Sequence, residues 1–600
     1  MEPGHAELST GLAGSFTGID WAIVAGYLLV TTVVGGLLAG KQASMRDFFL
    51  GGRKLPWYAV SASIIATEIS AVTFISLPYV VYQPGGDFTY LQLGLFGAII
   101  ARVIVGFVLV PAYYRREIYS PYDYVGQKLG TEARSVTTVL FALGGILAQS
   151  ARVYVTAIVL ELVLRDSLFG WLADCTGLSP MTWSIWTIGV VAVGWTLMGG
   201  MATVIWTDAV LFLMFMGGAL MALGFVVHAL PGGVGEMIAT GQAADKFRFF
   251  DFSPDPTRAY TFWTAIIANT WFCVGIYGTD QLLAQRMFCC RGPRQARLAI
   301  LSSAAGQLVT VSIMLVGVGL YAYYKTHPLS GEALRLCQER GDRIFPIFIL
   351  QVLPAGLTGM VIAAVFAAAI SSLDSILAAL SQTCVSAFYL PWRRRRMATT
   401  VDAEDPAEAR RTVRVSRILV VIWGVVLCIA AQLAAVAAEY QESVLDLALT
   451  MAGYASGALL AGFLLAFLPL KVDGRGLCWS GPISVFTVFA VAWHQPWARA
   501  MCWGFAVAVL ALWVAIELRA NLRGNLFRTA AIVLALAVML TISHYGYWPG
   551  PADQDGHPTY HIVAFPWFAP IGCTVALVLG YLLGHPKNRF RHAADTLRMD

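Results

Sequence analysis

Residues 360–380 read MVIAAVFAAAISSLDSILAAL, so three hydroxyls and a carboxylate stand inside an apolar run long enough to cross a membrane. On a helix, Ser371 and Ser375 are four residues apart and Ser372 and Ser375 three apart, so they share a face. Hydroxyls and spare carbonyl lone pairs are hard oxygen donors, which suit a small hard cation. Alternatively, the hydroxyls bond back to carbonyls one turn earlier, as is common in membrane helices. These residues alone leave both interpretations open.

The composition of the whole chain indicates a membrane environment for this segment. The 600 residues are 58% hydrophobic and only 12% charged, which is about half the charged share of ordinary globular domains. Many apolar runs of about 20 residues predict a polytopic helical membrane protein. The formal net charge of +5 does not indicate nucleic acid, because the Lys and Arg residues fall in short loops, where they set membrane topology.

Hydropathy predicts about fifteen transmembrane helices. The predicted spans are 18–40, 56–82, 88–113, 136–164, 182–199, 202–229, 259–282, 298–324, 345–386, 413–435, 443–469, 478–494, 498–518, 527–545 and 562–584. Basic loops such as YYRRE and PWRRRR alternate with acidic or neutral loops such as YQPGGDF and AAEYQES. This alternation predicts a multi-pass protein of the plasma (cytoplasmic) membrane, with its N-terminus outside and its C-terminus in the cytoplasm. The span at 345–386 is too long for one crossing and is predicted to start as an external helix.

Two of these spans carry polar residues near mid-membrane and are predicted to be interrupted there. The second span has Glu68 near its centre, and the seventh has Asn269 and Thr270. An interrupted helix exposes backbone polar groups, which is tolerable in a membrane only where they line a cavity or hold a ligand. The second and seventh spans begin two successive groups of five. Broken helices at corresponding positions of two halves indicate an inverted-repeat transporter.

Two further charges lie at membrane depth, where each costs at least ~2.5–3.5 kcal/mol. Arg152, beside Gln149, is predicted to pair with Glu68 or another buried carboxylate. The alternative for Arg152 is direct contact with an anionic group of a substrate. Asp208 follows GGMATVIWT and is either a helix-end carboxylate satisfied by water or a cap, or part of an ion exit path.

Four stretches of the sequence resemble the sodium/solute symporters, a family that includes the sodium/glucose, proline, iodide and monocarboxylate cotransporters. GGRKLPWYAVSASIIATEISAVTF resembles the first core helix of the family, and GGMATVIWTDAV resembles its glycine-pair signature. GTDQLLAQRMF resembles the end of the sixth core helix, and AAAISSLDSIL resembles the eighth. ISAVTFISLPYVVY and SPYDYVGQKLG are closer to the iodide, monocarboxylate and vitamin branch than to the glucose branch.

The sequence departs from the family pattern at three positions. Leu211 stands where the family often has Gln, and Ala378 stands where it usually has Asn. Glu68 occupies a site that is neutral in the sugar transporters, beside both the implied sodium site and the substrate. The identity of the substrate therefore stays open.

The resemblance implies an all-α polytopic membrane protein with the leucine-transporter type fold, which has two inverted five-helix repeats plus flanking helices. The expected division is an external N-terminus and first flanking helix at 1–45, the first repeat at 46–230, the second repeat at 231–470 with a basic cytoplasmic loop at 387–412, and C-terminal flanking helices with a cytoplasmic tail at 471–600.

The resemblance also implies a Na⁺ site between the first and eighth core helices. Its implied ligands are the carbonyl oxygens of Ala66, Ile69 and Ala368 and the hydroxyls of Ser371 and Ser372. Asp208 and Asp374 are expected on the ion path. The side chains expected at the substrate site are Glu68, Ser70, Thr73, Gln149, Arg152, Asn269 and Thr270.

The expected function is sodium-coupled import of a small organic solute, such as a sugar, monocarboxylate, amino acid or vitamin, by alternating access. Its expected partners are the solute, Na⁺ and the lipid bilayer, with no nucleic acid and no obligate protein partner. The alternative is a proton-coupled transporter of the same fold that uses Glu68 or Asp374. A membrane-embedded enzyme is a remote alternative, because the sequence has no H-E-x-x-H motif and no G-x-S-x-G motif in a strand–helix setting. A transport-like sensor is another, against which the short basic C-terminal stretch argues.

Overall fold

The computed structural model describes residues 16–38, 50–116, 118, 120–197, 201–397, 406–438, 443–470, 472–493, 495–520 and 560–584, with isolated positions between 530 and 549. The helices, in chain order, are α1 Gly18–Leu38, α2 Trp57–Glu68, α3 Ala71–Tyr82, α4 Leu93–Tyr114, α5 Pro121–Leu129, α6 Thr131–Leu164, α7 Gly170–Thr176, α8 Pro180–Thr196, α9 Met201–His228, α10 Gly233–Ala243, α11 Thr270–Thr279, α12 Gln281–Phe288, α13 Pro293–Thr326, α14 Gly331–Glu339, α15 Ile344–Val352, α16 Leu357–Cys384, α17 Leu390–Met397, α18 Pro406–Ala437, α19 Val444–Phe467, α20 Arg475–Ala492, α21 Pro496–Ala520 and α22 Phe568–Leu583. Two short strands, β1 Trp548–Pro549 and β2 Tyr560–His561, pair antiparallel.

Helices of membrane-spanning length dominate these ranges, as the composition predicts. Ten of the described helices are long and apolar enough to cross a membrane, and the bent pair α2–α3 raises the number to eleven. The helices at the predicted spans 18–40, 182–199 and 259–282 are not among those that are long and apolar enough to cross a membrane. The predicted span at 527–545 lies outside the described residues, apart from isolated positions. The total of about fifteen spans therefore stays a prediction.

The second predicted span is broken in the middle, as its polar residues indicate. Helix α2 ends at Glu68, and α3 begins at Ala71 after a bend of 56°. Between them, Ile69 (φ −78°, ψ 108°) and Ser70 (φ −111°, ψ 176°) are extended. The carbonyls of residues 66–69 therefore lack the amide partners, four residues later, that a continuous helix would supply.

The seventh predicted span is interrupted at a different place from the one expected. A π-helical turn at Thr264–Asn269 runs directly into α11, and the extended residue is Asp280 (φ −74°, ψ 129°), between α11 and α12. The span is thus interrupted two residues after Gly278 and not at Asn269, because a neighbouring helix satisfies the Asn269 side chain: its Nδ2 donates to the carbonyl of Leu93 at 2.8 Å. A widened turn thus accommodates the polar residue without unwinding the helix.

The long apolar segment at 345–386 forms two helices, as its length predicts. Helix α15 is followed by Gly356, in a left-handed conformation with φ +90°, and then by α16. The amides of Gly356 and Gly359 both donate to one carboxylate oxygen of Asp20 in α1, each at 2.7 Å. A Cβ at position 359 would lie 2.6 Å from the Cα of Asp20, so α1 and the start of α16 pack too closely for any larger residue.

The broken helix and α16 lie in the interior of the helix bundle. Helix α16 packs against α1, α2, α3, α6, α8, α9 and α18. Of the apolar membrane-spanning stretch that begins with α16, 89% is buried inside the protein. Helix α2 packs on α9 and α13, while α3 packs on α6, α13 and α19. This packing brings the unwound backbone of the second span next to the serines of α16.

The end of α3 is held by a lysine from the segment after α10. Lys246 is only 1% exposed, and its Nζ donates to the carbonyls of Val81, Tyr82 and Gln83 at 2.8, 3.2 and 2.6 Å. Burial lowers the pKa of Lys246 to about 8, against the opposing charge of Asp87. The lysine thus takes the place of the amides that are missing beyond the end of the helix.

Candidate functional site

A central cavity of about 230 Å³ lies beside the break between α2 and α3. Its other walls come from α4, α6, α11, α13 and α19. Most of the side chains predicted at the substrate site line this cavity: Glu68, Ser70, Thr73, Gln149, Arg152 and Asn269. Thr270 does not line the cavity. Its backbone packs closely against Gly97 of α4, where an added Cβ would lie 3.0 Å from the Thr270 nitrogen.

Glu68 is neutralised by an arginine that the sequence analysis overlooked. Arg102 of α4 pairs with Glu68, and the hydroxyl of Tyr277 donates to the other carboxylate oxygen at 2.7 Å. The Arg102 side chain is 1% exposed, and its Nε donates to Ser303 at 3.0 Å. The predicted pairing of Glu68 with Arg152 is therefore wrong, because α4 brings a different guanidinium to this carboxylate.

Arg152 instead connects the broken helix with α16. Its Nη1 donates to the carbonyl of Thr67 at 3.1 Å and to the hydroxyl of Ser372 at 3.4 Å. Asp280 and Glu68 are the carboxylates that act on it electrostatically. Within the residues that the structure describes, Arg152 forms no ion pair with either of them. One guanidinium nitrogen of Arg152 thus donates both to the backbone beside the α2–α3 break and to a serine of α16.

Asp208 lies in a fully buried ion pair. Asp208 and Arg286 are each 1% exposed, and Arg286 Nη2 lies 2.9 Å from a carboxylate oxygen. Ser63 donates to the same oxygen at 2.6 Å, and Ser371 donates to the other one. Of the interpretations left open for Asp208, the one with a water-satisfied helix end is wrong, because an arginine and two serines hold its carboxylate.

Arg286 stands in the basic stretch QRMFCCRGPRQAR, and by the alternation of basic and acidic loops such a stretch predicts a cytoplasmic loop. It lies instead within α12 and is buried. Besides Asp208, it contacts Ser63 through Nε at 2.8 Å and Ser375 through Nη2 at 2.6 Å. The sequence does contain a signal for this helix in the stretch TDQLLAQR, which begins at the end of α11. Its polar residues recur at a helical spacing that is too regular for a solvated loop.

The serines of α16 face two different partners. Ser371 and Ser375 contact the two members of the Asp208–Arg286 pair, which agrees with their predicted common face. Ser372 faces Arg152. In the described part of the chain, neither Ser371 nor Ser372 donates to a carbonyl one turn earlier, so the back-bonding interpretation of these two hydroxyls does not hold. Asp374 lies beside Thr196 of α8.

The five residues predicted as Na⁺ ligands lie on the broken second span and on α16. Ala66, Ile69, Ala368, Ser371 and Ser372 are all buried. The break leaves the carbonyls of Ala66 and Ile69 without helical partners, and α2 packs against α16. Neutral oxygen donors of this kind suit a hard monovalent ion. A broken helix with free carbonyls beside a solute-sized cavity is the arrangement expected of an ion-coupled membrane transporter.

Comparisons with known proteins agree with this class. Residues 48–483 match the sequence model of the sodium:solute symporter family, and the chain belongs to this family. It is 29% identical over 471 residues to the human sodium/iodide cotransporter, covering 77% of this chain and 68% of that protein. It is 28% identical over 464 residues to human sodium-coupled monocarboxylate transporter 1, covering 76% and 70%.

A solved structure confirms the fold. The substrate-bound outward-open state of a Na⁺-coupled sialic acid symporter matches with a TM-score of 0.67 at 21% identity, covering 96% of this chain and 100% of that chain. The predicted leucine-transporter type fold is thereby confirmed. Family membership also confirms that the protein is a membrane transporter that uses sodium as its coupling ion, and not an enzyme.

Proposed function

We propose that this protein imports a small organic solute together with Na⁺ by alternating access, with the ion bound between the α2–α3 break and α16. The observation that carries the proposal is the extended backbone at Ile69 and Ser70 beside a buried serine pair. Carbonyls that a helix break leaves free at mid-membrane are stable only where they line a cavity or hold a ligand. Ala66, Ile69, Ala368, Ser371 and Ser372 would provide about five oxygens.

The coupling follows from the position of this ion site. Na⁺ entering from outside would draw the broken helix against α16 and so organise the cavity that Glu68, Ser70 and Thr73 line. Release towards the cytoplasm, past Asp208, would loosen both contacts. A ligand shifts a conformational equilibrium only by its differential affinity for the two states. An ion site formed by two elements that move apart in one state would bind the ion more tightly in the other state.

Proton coupling through Glu68 fits the geometry less well. Its carboxylate is held by the Arg102 guanidinium and by the Tyr277 hydroxyl. These two contacts fix the carboxylate between α4 and α11. Glu68 therefore fits a structural ion pair better than a carrier that must change partners in every transport cycle.

Sodium binding is expected to stabilise the purified protein against thermal unfolding, whereas K⁺ at the same ionic strength is not. A ligand that binds only the folded state adds about 2.7 kcal/mol at a hundred times its Kd. The measurement is the unfolding temperature in detergent as a function of NaCl, with KCl and choline chloride as controls. Equal unfolding temperatures in all three salts, combined with stabilisation at low pH, would contradict sodium coupling and favour a proton.

The membrane orientation is a second part of the proposal. We place the N-terminus outside, the C-terminus in the cytoplasm, and the two repeats at 46–230 and 231–470, because the basic loops alternate in that sense. Reporter fusions at Arg394 and Asp600 should both give cytoplasmic signals. An external signal at either position, in a fusion that still takes up solute, would rule out this orientation.

A further inference from the structure

One side of α18 is apolar and faces out of the helix bundle. The membrane-length stretch Arg411–Ala437 forms most of this helix, and only 33% of this apolar stretch is buried inside the protein. Five aliphatic side chains that are between 43% and 59% exposed recur along it at a helical spacing and so share one side. They are Ile418, Val421, Val425, Ile429 and Val436, and we call them the apolar stripe. On a membrane-spanning helix, such an exposed stripe lies against the acyl chains of lipids.

The opposite side of α18 is packed, which fixes the direction of the apolar stripe. Thr412, Ser416 and Val420 are buried. The hydroxyl of Ser381 on α16 donates to the Ser416 carbonyl at 2.8 Å, and the two serine hydroxyls lie 2.7 Å apart. Because α18 also packs on α6 and α8, it cannot rotate about its axis without breaking these contacts. The apolar stripe therefore faces lipid in the folded protein.

Two arginines stand at one end of the apolar stripe. Arg414 is four residues before Ile418 and seven before Val421, so it lies on the same side of the helix, and Arg417 lies at the edge of that side. Both arginines are exposed, and within the described residues neither forms an ion pair. A helical stretch of 27 residues is ~40 Å long, which matches a bilayer with its headgroup layers. Both arginines fall within the first two turns of this stretch and therefore at headgroup depth.

We infer that Arg414 and Arg417 bind the phosphate of an anionic phospholipid whose acyl chains lie along the apolar stripe. A guanidinium offers paired donors in one plane that match phosphate oxygens. Two exposed arginines attract a headgroup with a net negative charge, whereas a zwitterionic headgroup brings its own cation and compensates less of their charge. In the orientation proposed above, this end of α18 lies in the cytoplasmic leaflet, where anionic lipids give a negative surface potential. The inference does not depend on which solute is transported.

The acidic residues just before these arginines are the competing occupant. The stretch VDAEDPAEARR carries four of them: Asp402, Glu404, Asp405 and Glu408. Glu408 is three residues from Arg411, a spacing that allows a pair on a helix, but six residues from Arg414, which does not. The spacing therefore favours Arg411 as the partner of Glu408 and leaves Arg414 and Arg417 for a lipid.

The test measures lipid binding to the purified full-length protein in detergent, by native mass spectrometry and by unfolding temperature. The probes are phosphatidylglycerol, phosphatidylcholine with the same acyl chains, and glycerol phosphate as a headgroup without chains. Phosphatidylglycerol is expected to bind at least tenfold more tightly than phosphatidylcholine and to raise the unfolding temperature, because a ligand of the folded state stabilises it. Glycerol phosphate is expected to do neither, since the apolar stripe holds the chains. An ionic strength of about 1 M should remove the preference, because charges are then screened beyond ~3 Å.

Substitutions at the two arginines separate their charge from their geometry. The double variant Arg414→Gln, Arg417→Gln should weaken phosphatidylglycerol binding at least tenfold, because each arginine near a lipid surface contributes about fivefold in affinity, and should leave phosphatidylcholine binding unchanged. The double variant with lysine at both positions keeps the charge and loses the paired donors, so its affinity should lie between the two. Arg335→Gln is the matched control, since it removes an arginine that is 62% exposed but lies on the short helix α14.

Equal binding of the two lipids by the wild-type protein would overturn the inference, and this result is expected if the acidic stretch occupies both arginines. An unchanged lipid preference in the double glutamine variant, or the same loss in Arg335→Gln, would overturn it as well. Tight binding of glycerol phosphate alone would indicate a site for a soluble anion and contradict a lipid site. If the double glutamine variant does not fold, the lysine variant and the salt dependence of the wild-type protein decide the matter.

Discussion

Replacing Ser372 by alanine is expected to raise the half-saturating Na⁺ concentration of solute uptake several-fold, and about tenfold if the lost oxygen contributes about 1.5 kcal/mol. The physical reason is the loss of one of about five oxygens in a site made only of neutral donors. Such a site binds a monovalent ion weakly enough to release it in each cycle, so no single ligand is redundant. The measurement is initial uptake rate against Na⁺ concentration at constant ionic strength.

Neighbouring variants on α16 provide the controls. Ser375→Ala removes a hydroxyl one turn further on, which contacts Arg286 at 2.6 Å and is not a predicted ligand, so it should leave the Na⁺ dependence close to that of the wild type. Asp374→Asn should have a smaller effect than Ser372→Ala, because Asp374 faces Thr196. If Ser371→Ala and Ser372→Ala both left the Na⁺ dependence unchanged, the ion site would have to lie elsewhere.

Replacing Arg286 by methionine is expected to destabilise the protein by ~3–5 kcal/mol, because it leaves the Asp208 carboxylate buried without a counter-charge. Both side chains are 1% exposed, so neither gains water when its partner is removed. The double variant Asp208→Asn, Arg286→Met should recover a large part of this loss. The measurement is the unfolding transition of each variant in detergent, combined as a double-mutant cycle.

An exposed ion pair provides the comparison for this cycle. Arg258 and Asp251 also form a pair, at 3.0 Å, but Arg258 is 56% exposed. Surface pairs contribute about 0–1 kcal/mol, so Arg258→Met should change the unfolding transition little. Strictly additive losses for Asp208→Asn and Arg286→Met would show that the two charges do not compensate each other in the folded protein.

The sequence predicts features that local chemistry determines. Glu68 and Ser70 in an apolar run indicate a break in the second span, because a continuous lipid-facing helix would not carry them, and the structure has the break between Glu68 and Ala71. The serines of α16 are likewise predictable as a polar face. Each of these features depends on residues within one or two turns of a single helix.

The pairing of charges depends on how distant helices are rotated against each other, which the hydropathy pattern does not contain. Arg102 and Arg152 are both mid-span arginines, and only the packing of α4 decides that Arg102 is the one that meets Glu68. Arg286 shows a related limit, because its basic neighbours indicate a loop while tertiary packing buries it in α12. Asn269 shows a third, since the Leu93 carbonyl on another helix removes the need for an interruption.

The lysine at the end of α3 has a mechanical consequence for the transport cycle. Lys246 joins α3 to the segment between α10 and α11 by three hydrogen bonds, and Arg248 adds an ion pair to Asp87 just beyond α3. Any rotation of α3 must carry this segment with it or break these bonds, each of which contributes about 1.5–3 kcal/mol when the donor is charged. The segment between α10 and α11 is therefore tied to α3, and we expect substitutions at Lys246 to change the rate at which the transporter interconverts between its two states more than its affinity for either ligand.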